Sequence, residues 1–298
     1  MKPQWDIHGA FLAARNIRME GGRGAETEPR AGVVALFGAP LDMTTTFRPG
    51  TRLGPSHIRE ASQVLEEYSP RTGAVVSGDR FLDLGDLVLP FGTVKMNLDI
   101  IREGVLAVLE RGAVPFMLGG EHLVTLPAVE AVTRRYEGLA IVHLDAHADM
   151  RDEYLGESLS HATVMRRVAE LVGFDNVFQL GVRSGTIEEM NRQGNLYPER
   201  VIEHVPRIAE MIGDRPVYLT IDIDVLDPAF APGTGTPEPG GVTSRELLTA
   251  VVELARLNIV GLDLVEVSPP HDHSEITSIV AAKAVREAVA AITARFEG

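Results

Sequence analysis

Three short segments carry the side chains that could do chemistry. Gly119-Gly-Glu-His122 sets a histidine behind two glycines. Asp145-Ala-His-Ala-Asp149 alternates acid, imidazole and acid, and Asp222-Ile-Asp224 repeats the alternation with acids alone. In an extended chain, residues two apart share a face and stand roughly 6–7 Å apart. Carboxylates so placed repel one another unless a proton or a cation removes charge. Taken singly, His122 reads more readily as a surface or core histidine than as a ligand, and Asp145–Asp149 has an exposed polar edge as its alternative. Taken together, the segments offer two histidines (His122, His147) and four aspartates (Asp145, Asp149, Asp222, Asp224). One catalytic zinc takes fewer carboxylates. Oxygen donors with some imidazole suit manganese, and six ligands able to bridge suit two ions about 3.5 Å apart. Such a pair lowers the pKa of a shared water, so the residues predict metal-assisted hydrolysis. They do not name a substrate.

Each segment follows an apolar run. Strands are expected at Val33–Phe37, Val114–Leu118, Ala140–Leu144, Val177–Gly181, Val217–Ile223 and Ile259–Val267. Several are apolar on consecutive residues, the pattern of strands covered on both faces. Helical periodicity fills the gaps at Pro55–Tyr68, Leu98–Arg111, Leu126–Tyr136, Ala162–Leu171, Ser244–Leu257 and Ile276–Phe296, with Ser244 as a candidate cap. Alternating strands and helices imply an α/β sandwich around a mostly parallel sheet, which binds ligands at the carboxyl ends of its strands. Residues 1–31 are expected to be an N-terminal arm, with a Gly-rich loop over Glu20–Pro29, and residues 32–298 a single domain.

Composition removes several classes. The 298 residues are 45% hydrophobic and 23% charged, an ordinary globular balance. With no cysteine there is no disulfide, thiolate ligand or cysteine nucleophile, which is compatible with a cytoplasmic location. A net charge of −14 argues against nucleic acid as partner and attracts cationic ligands, although solubility alone also explains it. No apolar run approaches the ~18–20 residues of a membrane span, and no signal peptide is evident.

With these segments in hand, the chain resembles the ureohydrolases, the family of arginase and agmatinase. The resemblance rests on Gly119-Gly-Glu-His122, His143-Leu-Asp-Ala-His-Ala-Asp149, Ser160-His-Ala-Thr163, Asp222-Ile-Asp-Val-Leu-Asp-Pro228, Gly233-Thr-Gly-Thr-Pro-Glu-Pro-Gly-Gly241 and Glu266-Val-Ser-Pro269. Phe47-Arg-Pro-Gly-Thr-Arg-Leu-Gly-Pro-Ser56 adds to it, and the likeness spans roughly residues 33 to 295. It implies a three-layer α/β/α fold, two Mn²⁺ per subunit and a trimer or hexamer. It implies that His122, Asp145, Asp149 and Asp222 hold one ion, and His147, Asp145, Asp222 and Asp224 the other. A bridging hydroxide would attack the guanidinium carbon, and the tetrahedral intermediate would collapse to urea and an amine. Glu266 matches the carboxylate that pairs with the guanidinium, and His161 the histidine that moves protons near the leaving amine. These two and Asp149 form the expected catalytic set. Without the resemblance, Glu266 reads as a structural ion-pair residue and His161 as an exposed helix-end residue. Glu121, Leu123 and Ala162 depart from the family pattern without removing a ligand.

The substrate expectation rests on one loop. Met150–Leu159 has no asparagine and carries Asp152, Glu153 and Glu157, which suit a cationic tail and so point to agmatine. Arg151 in the same loop would suit a guanidino acid instead. A metal-binding protein without turnover, and a single-zinc deacetylase, are the remaining readings.

Overall fold

A computed structural model describes residues 3–6, 9–16, 32–191, 194–198 and 200–296. The expected Glu20–Pro29 loop lies outside the described residues. The strands are β1 (Trp5–Asp6), β2 (Arg15–Asn16), β3 (Val34–Ala39), β4 (Tyr68–Ser69), β5 (Ala74–Val75), β6 (Phe81–Leu87), β7 (Val114–Gly119), β8 (Ala140–Leu144), β9 (Val177–Leu180), β10 (Asn195–Tyr197), β11 (Val217–Asp222) and β12 (Ile259–Val265). The helices are α1 (Gly54–Ser62), α2 (Val94–Leu109), α3 (Thr125–Thr133), α4 (Val164–Val172), α5 (Ile187–Met190), α6 (Val201–Ile212), α7 (Ser244–Ala255) and α8 (Ile276–Ala294).

Consecutive apolar residues in the strands are explained by two cores. Val34, Leu36, Val142 and Leu144 face one, packed with α6, α7 and α8. Ala35, Phe37, Ile141 and Tyr218 face the other, packed with α2, α3 and α4. The result is a three-layer α/β/α sandwich, as a helix layer on each face of a mostly parallel sheet requires. Its strand order is β1-β6-β3-β7-β12-β11-β8-β9-β10, with β2 beside β6. Only β1 runs antiparallel to its neighbour in this sheet. Phe11 is fully buried with its ring 5.6 Å from that of Phe81, so described residues ahead of position 32 pack on the sheet.

The fold adds elements that the pattern did not announce. β6 is broken in sequence by Asp83, Gly85 and Asp86, yet it is buried throughout. Arg59 from α1 permits this by bonding Asp83 through Nε (2.8 Å) and Nη2 (3.0 Å) and Asp86 through Nη1 (2.6 Å). α6 carries Pro206 inside the helix, which masks it in a propensity reading. The cap of α7 is Thr243 rather than Ser244: its side chain accepts from the Glu246 N–H, and Glu246 reaches back to the Thr243 N–H at 2.8 Å. No helix among the described residues is long and apolar enough to cross a membrane.

The strand order decides the site. β7, β12, β11 and β8 lie side by side. Their carboxyl ends therefore bring together Gly119–His122, Glu266, Asp222 and Asp145.

Candidate active site

All six candidate ligands converge, though not by the extended alternation their spacing suggests. β8 stops at Leu144, and Asp149 has a left-handed backbone at φ 53°. β11 stops at Asp222, and Asp224 sits on a 3-10 turn over Ile223–Val225. Tight turns, tied within themselves and to each other by these acids, do the gathering. The Asp224 N–H donates to Asp222 Oδ1 (2.8 Å) and the Ala146 N–H to Asp224 Oδ1 (3.0 Å).

His122 Nδ1 lies 3.1 Å from Asp145 Oδ2, 3.3 Å from Asp149 Oδ2 and 3.2 Å from Asp222 Oδ2. His147 Nδ1 lies 3.0 Å from Asp224 Oδ2 and 3.5 Å from Asp145 Oδ1. Asp145 thus belongs to both groups. His122 Nε2 is 2.9 Å from the Thr220 hydroxyl, while its Nδ1 is buried without a hydrogen-bond partner. A buried imidazole nitrogen aimed at three carboxylates, its other nitrogen engaged from behind, has the form of a metal ligand and its supporting contact. Asp145, His147 and Asp224 offer donor atoms within 4.8 Å of one another, as do His122, His143, Asp145 and Asp149. The residues present therefore fit metal.

The electrostatics say the same. Burial, then repulsion from Asp224 and Asp145, pushes Asp222 well above the usual carboxylate range. Burial and Asp145 raise Asp224 too. Burial opposes charge on His147, but Asp224 and Asp145 outweigh it and the imidazole is pushed up to about 12. Burial would also raise Asp145, yet His143, His122 and His147 hold it well below its ordinary value. The cluster calls for positive charge, and no arginine or lysine among the described residues pairs with it.

A cavity of about 210 Å³ opens onto this cluster, lined by His147, Asp149 and Asp222 together with Glu266, His161 and Arg151. Glu266 has a left-handed backbone (φ 65°), a conformation that costs energy and is typical of constrained sites. Its Oε1 accepts from the His122 N–H at 2.8 Å, and it pairs with no basic side chain among the described residues. Burial, joined by repulsion from Glu121 and Asp224, holds its carboxyl well above the usual range. His161 is half-buried rather than exposed, with Nδ1 3.3 Å from the Thr44 hydroxyl.

Several residues here escaped the sequence reading. Glu121, noted only as a departure, is fully buried and accepts from the N–H groups of Met43 and Thr44 at 2.7 Å and from the Thr44 hydroxyl at 2.9 Å. It thereby fixes the residue that holds His161. His143 Nε2 lies 2.8 Å from Asp145 Oδ2, and its Nδ1 2.9 Å from Gln179 Nε2. Gln179 Nε2 also donates to the Ala148 carbonyl (2.7 Å), which fixes the amide orientation. His143 Nδ1 must then accept, so Nε2 carries the proton and donates to Asp145. Its position two residues before Asp145, on the same face of the strand, was the available signal. Of the Met150–Leu159 loop, Arg151 and Tyr154 reach the cavity, whereas Glu153 and Glu157 do not line it. Asp152 is tied to Arg167 at 2.6 Å.

Fold and site together define a class. The sequence pattern of the Arginase family matches residues 33–291, and the chain belongs to that family. It is an enzyme, a C–N hydrolase of the ureohydrolase type acting on linear amidines. An agmatinase of Bacillus anthracis is 49% identical over 260 residues, 85% of this chain and 90% of the relative. A guanidinobutyrase of Pseudomonas aeruginosa is 37% identical, over 85% of this chain and 84% of the relative. The crystal structure of the agmatine ureohydrolase of Thermoplasma volcanium superposes with a TM-score of 0.82 at 31% identity, covering 92% of this chain and 93% of that one.

Proposed function

We propose that this enzyme hydrolyses agmatine to putrescine and urea at a site holding two Mn²⁺. The observation that carries the reading is the cluster of four buried carboxylates with one buried and one half-buried imidazole at the cavity, left without an arginine or lysine partner among the described residues. Kinship with the Bacillus anthracis agmatinase supports the substrate. His122, Asp145, Asp149 and Asp222 would hold one ion, and His147, Asp145, Asp222 and Asp224 the other. When bound, the pair supplies hydroxide near neutral pH by lowering the pKa of water.

The chain's own groups supply the rest. Glu266 receives the guanidinium, because a planar cation beside it restores its charged form and donates paired hydrogen bonds to it. Thr44 occupies the Nδ1 side of His161 and leaves Nε2 to carry a proton to the leaving amine. Asp149, which lines the cavity as well as the metal cluster, completes the catalytic set. The same reading takes residues 32–298 as one catalytic domain behind an arm of residues 1–31, working as a cytoplasmic trimer or hexamer.

A guanidino acid is the second reading, favoured by Arg151 in the cavity wall. The test is urea release from agmatine, arginine and 4-guanidinobutyrate, in parallel, by Mn²⁺-reconstituted protein. Strong release from agmatine alone is expected. Release from 4-guanidinobutyrate alone would keep the metal chemistry and sink the substrate.

A further inference from the structure

A guanidino substrate held at Glu266 must lay its other end along the rest of the cavity, and the charges lining that tail end decide which tail it can carry. Arg151 is the only arginine or lysine among the cavity's described lining residues, and so the obvious receptor for a carboxylate tail. It is already engaged. Its Nε lies 3.7 Å from Glu189 Oε2, and its Cζ sits 4.8 Å from the centroid of the Tyr154 ring. Tyr154 in turn packs edge-on against His161, with centroids 5.7 Å apart and planes at 85°. Glu189, Arg151, Tyr154 and His161 form one layered wall.

The two partners are not equally mobile. Glu189 is 7% exposed, with Oε1 accepting from the Met150 N–H at 2.9 Å and Oε2 from the Thr186 N–H at 2.7 Å. Arg151 is 38% exposed in its side chain and touches only Glu189 and Tyr154 through its head group among the contacts described. A fixed anion therefore holds a movable cation, and in a partly buried setting such an attraction outweighs its surface counterpart. With Arg151 neutralised, the tail end has no free positive charge, and a carboxylate entering it would be desolvated without a partner.

We propose that Glu189 is a specificity-determining residue. It holds Arg151 against Tyr154 and so excludes guanidino compounds with a carboxylate tail in favour of those with an ammonium tail. The proposal rests on the ureohydrolase reading above and deepens it.

The experiment compares wild type, Glu189→Gln, Arg151→Gln and the double variant. It reads kcat/KM for agmatine and for 4-guanidinobutyrate with Mn²⁺-loaded enzyme. Calorimetry measures binding of both compounds to the full-length metal-free protein, so selection is read even without turnover. Glu189→Gln should move the ratio at least about tenfold toward 4-guanidinobutyrate, the change expected for exposing one unpaired cation to a carboxylate. The double variant should lose that gain, because it acts through Arg151. A ratio unchanged in Glu189→Gln, with both substrates equally impaired, would show that Glu189 only braces Met150 and Thr186 and would overturn the proposal. So would a shift that persists without Arg151. If Glu189→Gln does not fold, Arg151→Gln decides alone: a selective loss of 4-guanidinobutyrate would mean that Arg151 was free to bind it, and an unchanged ratio supports the clamp. A wild type that hydrolyses neither compound overturns the functional reading, while the binding ratios still judge Glu189.

Discussion

Two buried polar clusters sit on the same sheet and are built to opposite ends. Around β6, Asp83 and Asp86 face the guanidinium of Arg59, which also donates to the carbonyls of Pro55 and Gly85. Asp83 is completed by the N–H groups of Phe11 and Gly85. One guanidinium is shared by two carboxylates, and against the burial that opposes its charge Asp83 and Asp86 raise the Arg59 pKa. At the ends of β7, β11 and β8, four aspartates meet two histidines, and the repulsion is left to distort their proton affinities. Both places bury aspartates at the same sheet. The internal cation makes the difference: where the chain supplies one, the acids are structural, and where it withholds one, a place is made for something from solution.

That contrast has measurable consequences. Asp222→Ala should come closest to abolishing turnover, since Asp222 belongs to both proposed ion sites. It should also remove most of the stabilisation by Mn²⁺, about 2.7 kcal/mol at a hundredfold excess over Kd, read as a thermal shift. An Asp222→Ala protein keeping both the shift and the full rate would make the two-ion reading wrong. His161→Ala should lower kcat by roughly 10²–10⁴ while metal content, measured by atomic emission, stays unchanged. Loss of metal there would place His161 among the ligands instead.

At the other cluster, Arg59→Met strands two buried carboxylates. It should cost roughly 3–5 kcal/mol in urea unfolding, with kcat of the folded protein intact. A variant as stable as wild type would remove the distinction between the two clusters. Gln179→Leu is the subtlest case. It leaves His143 Nδ1 unpaired and loosens the donor to Asp145, so Mn²⁺ affinity should fall roughly 10–100-fold by titration calorimetry. An unchanged affinity would reduce His143 to packing.

Much of this was legible in the chain itself. Consecutive apolar residues marked the doubly covered strands, because a strand buried on both faces has no polar side to show. Acids and histidines after those strands marked the site, because such groups cannot sit at buried strand ends without a cation. Less legible was anything set by a distant partner. β6 was hidden because its acids are neutralised by Arg59, 24 residues away from Asp83. His143 lay inside a recognised motif, but its proton is placed by Gln179 from β9. The acids of the Met150–Leu159 loop looked like the receptor for a cationic tail, yet Arg167 takes Asp152 and the cavity wall is built by Arg151, Tyr154 and Glu189.

The sequence by itself determined the kind of chemistry, because ligand type and hydrolytic potential follow from which atoms are present. Only the tertiary structure decided who faces whom: that β12 enters between β7 and β11 and delivers Glu266, that 3-10 and left-handed turns rather than a pleat gather the aspartates, and that Glu189 faces Arg151. Strand order and side-chain pairing are long-range contacts whose energies depend on the whole packed arrangement, and no local stretch of sequence contains them.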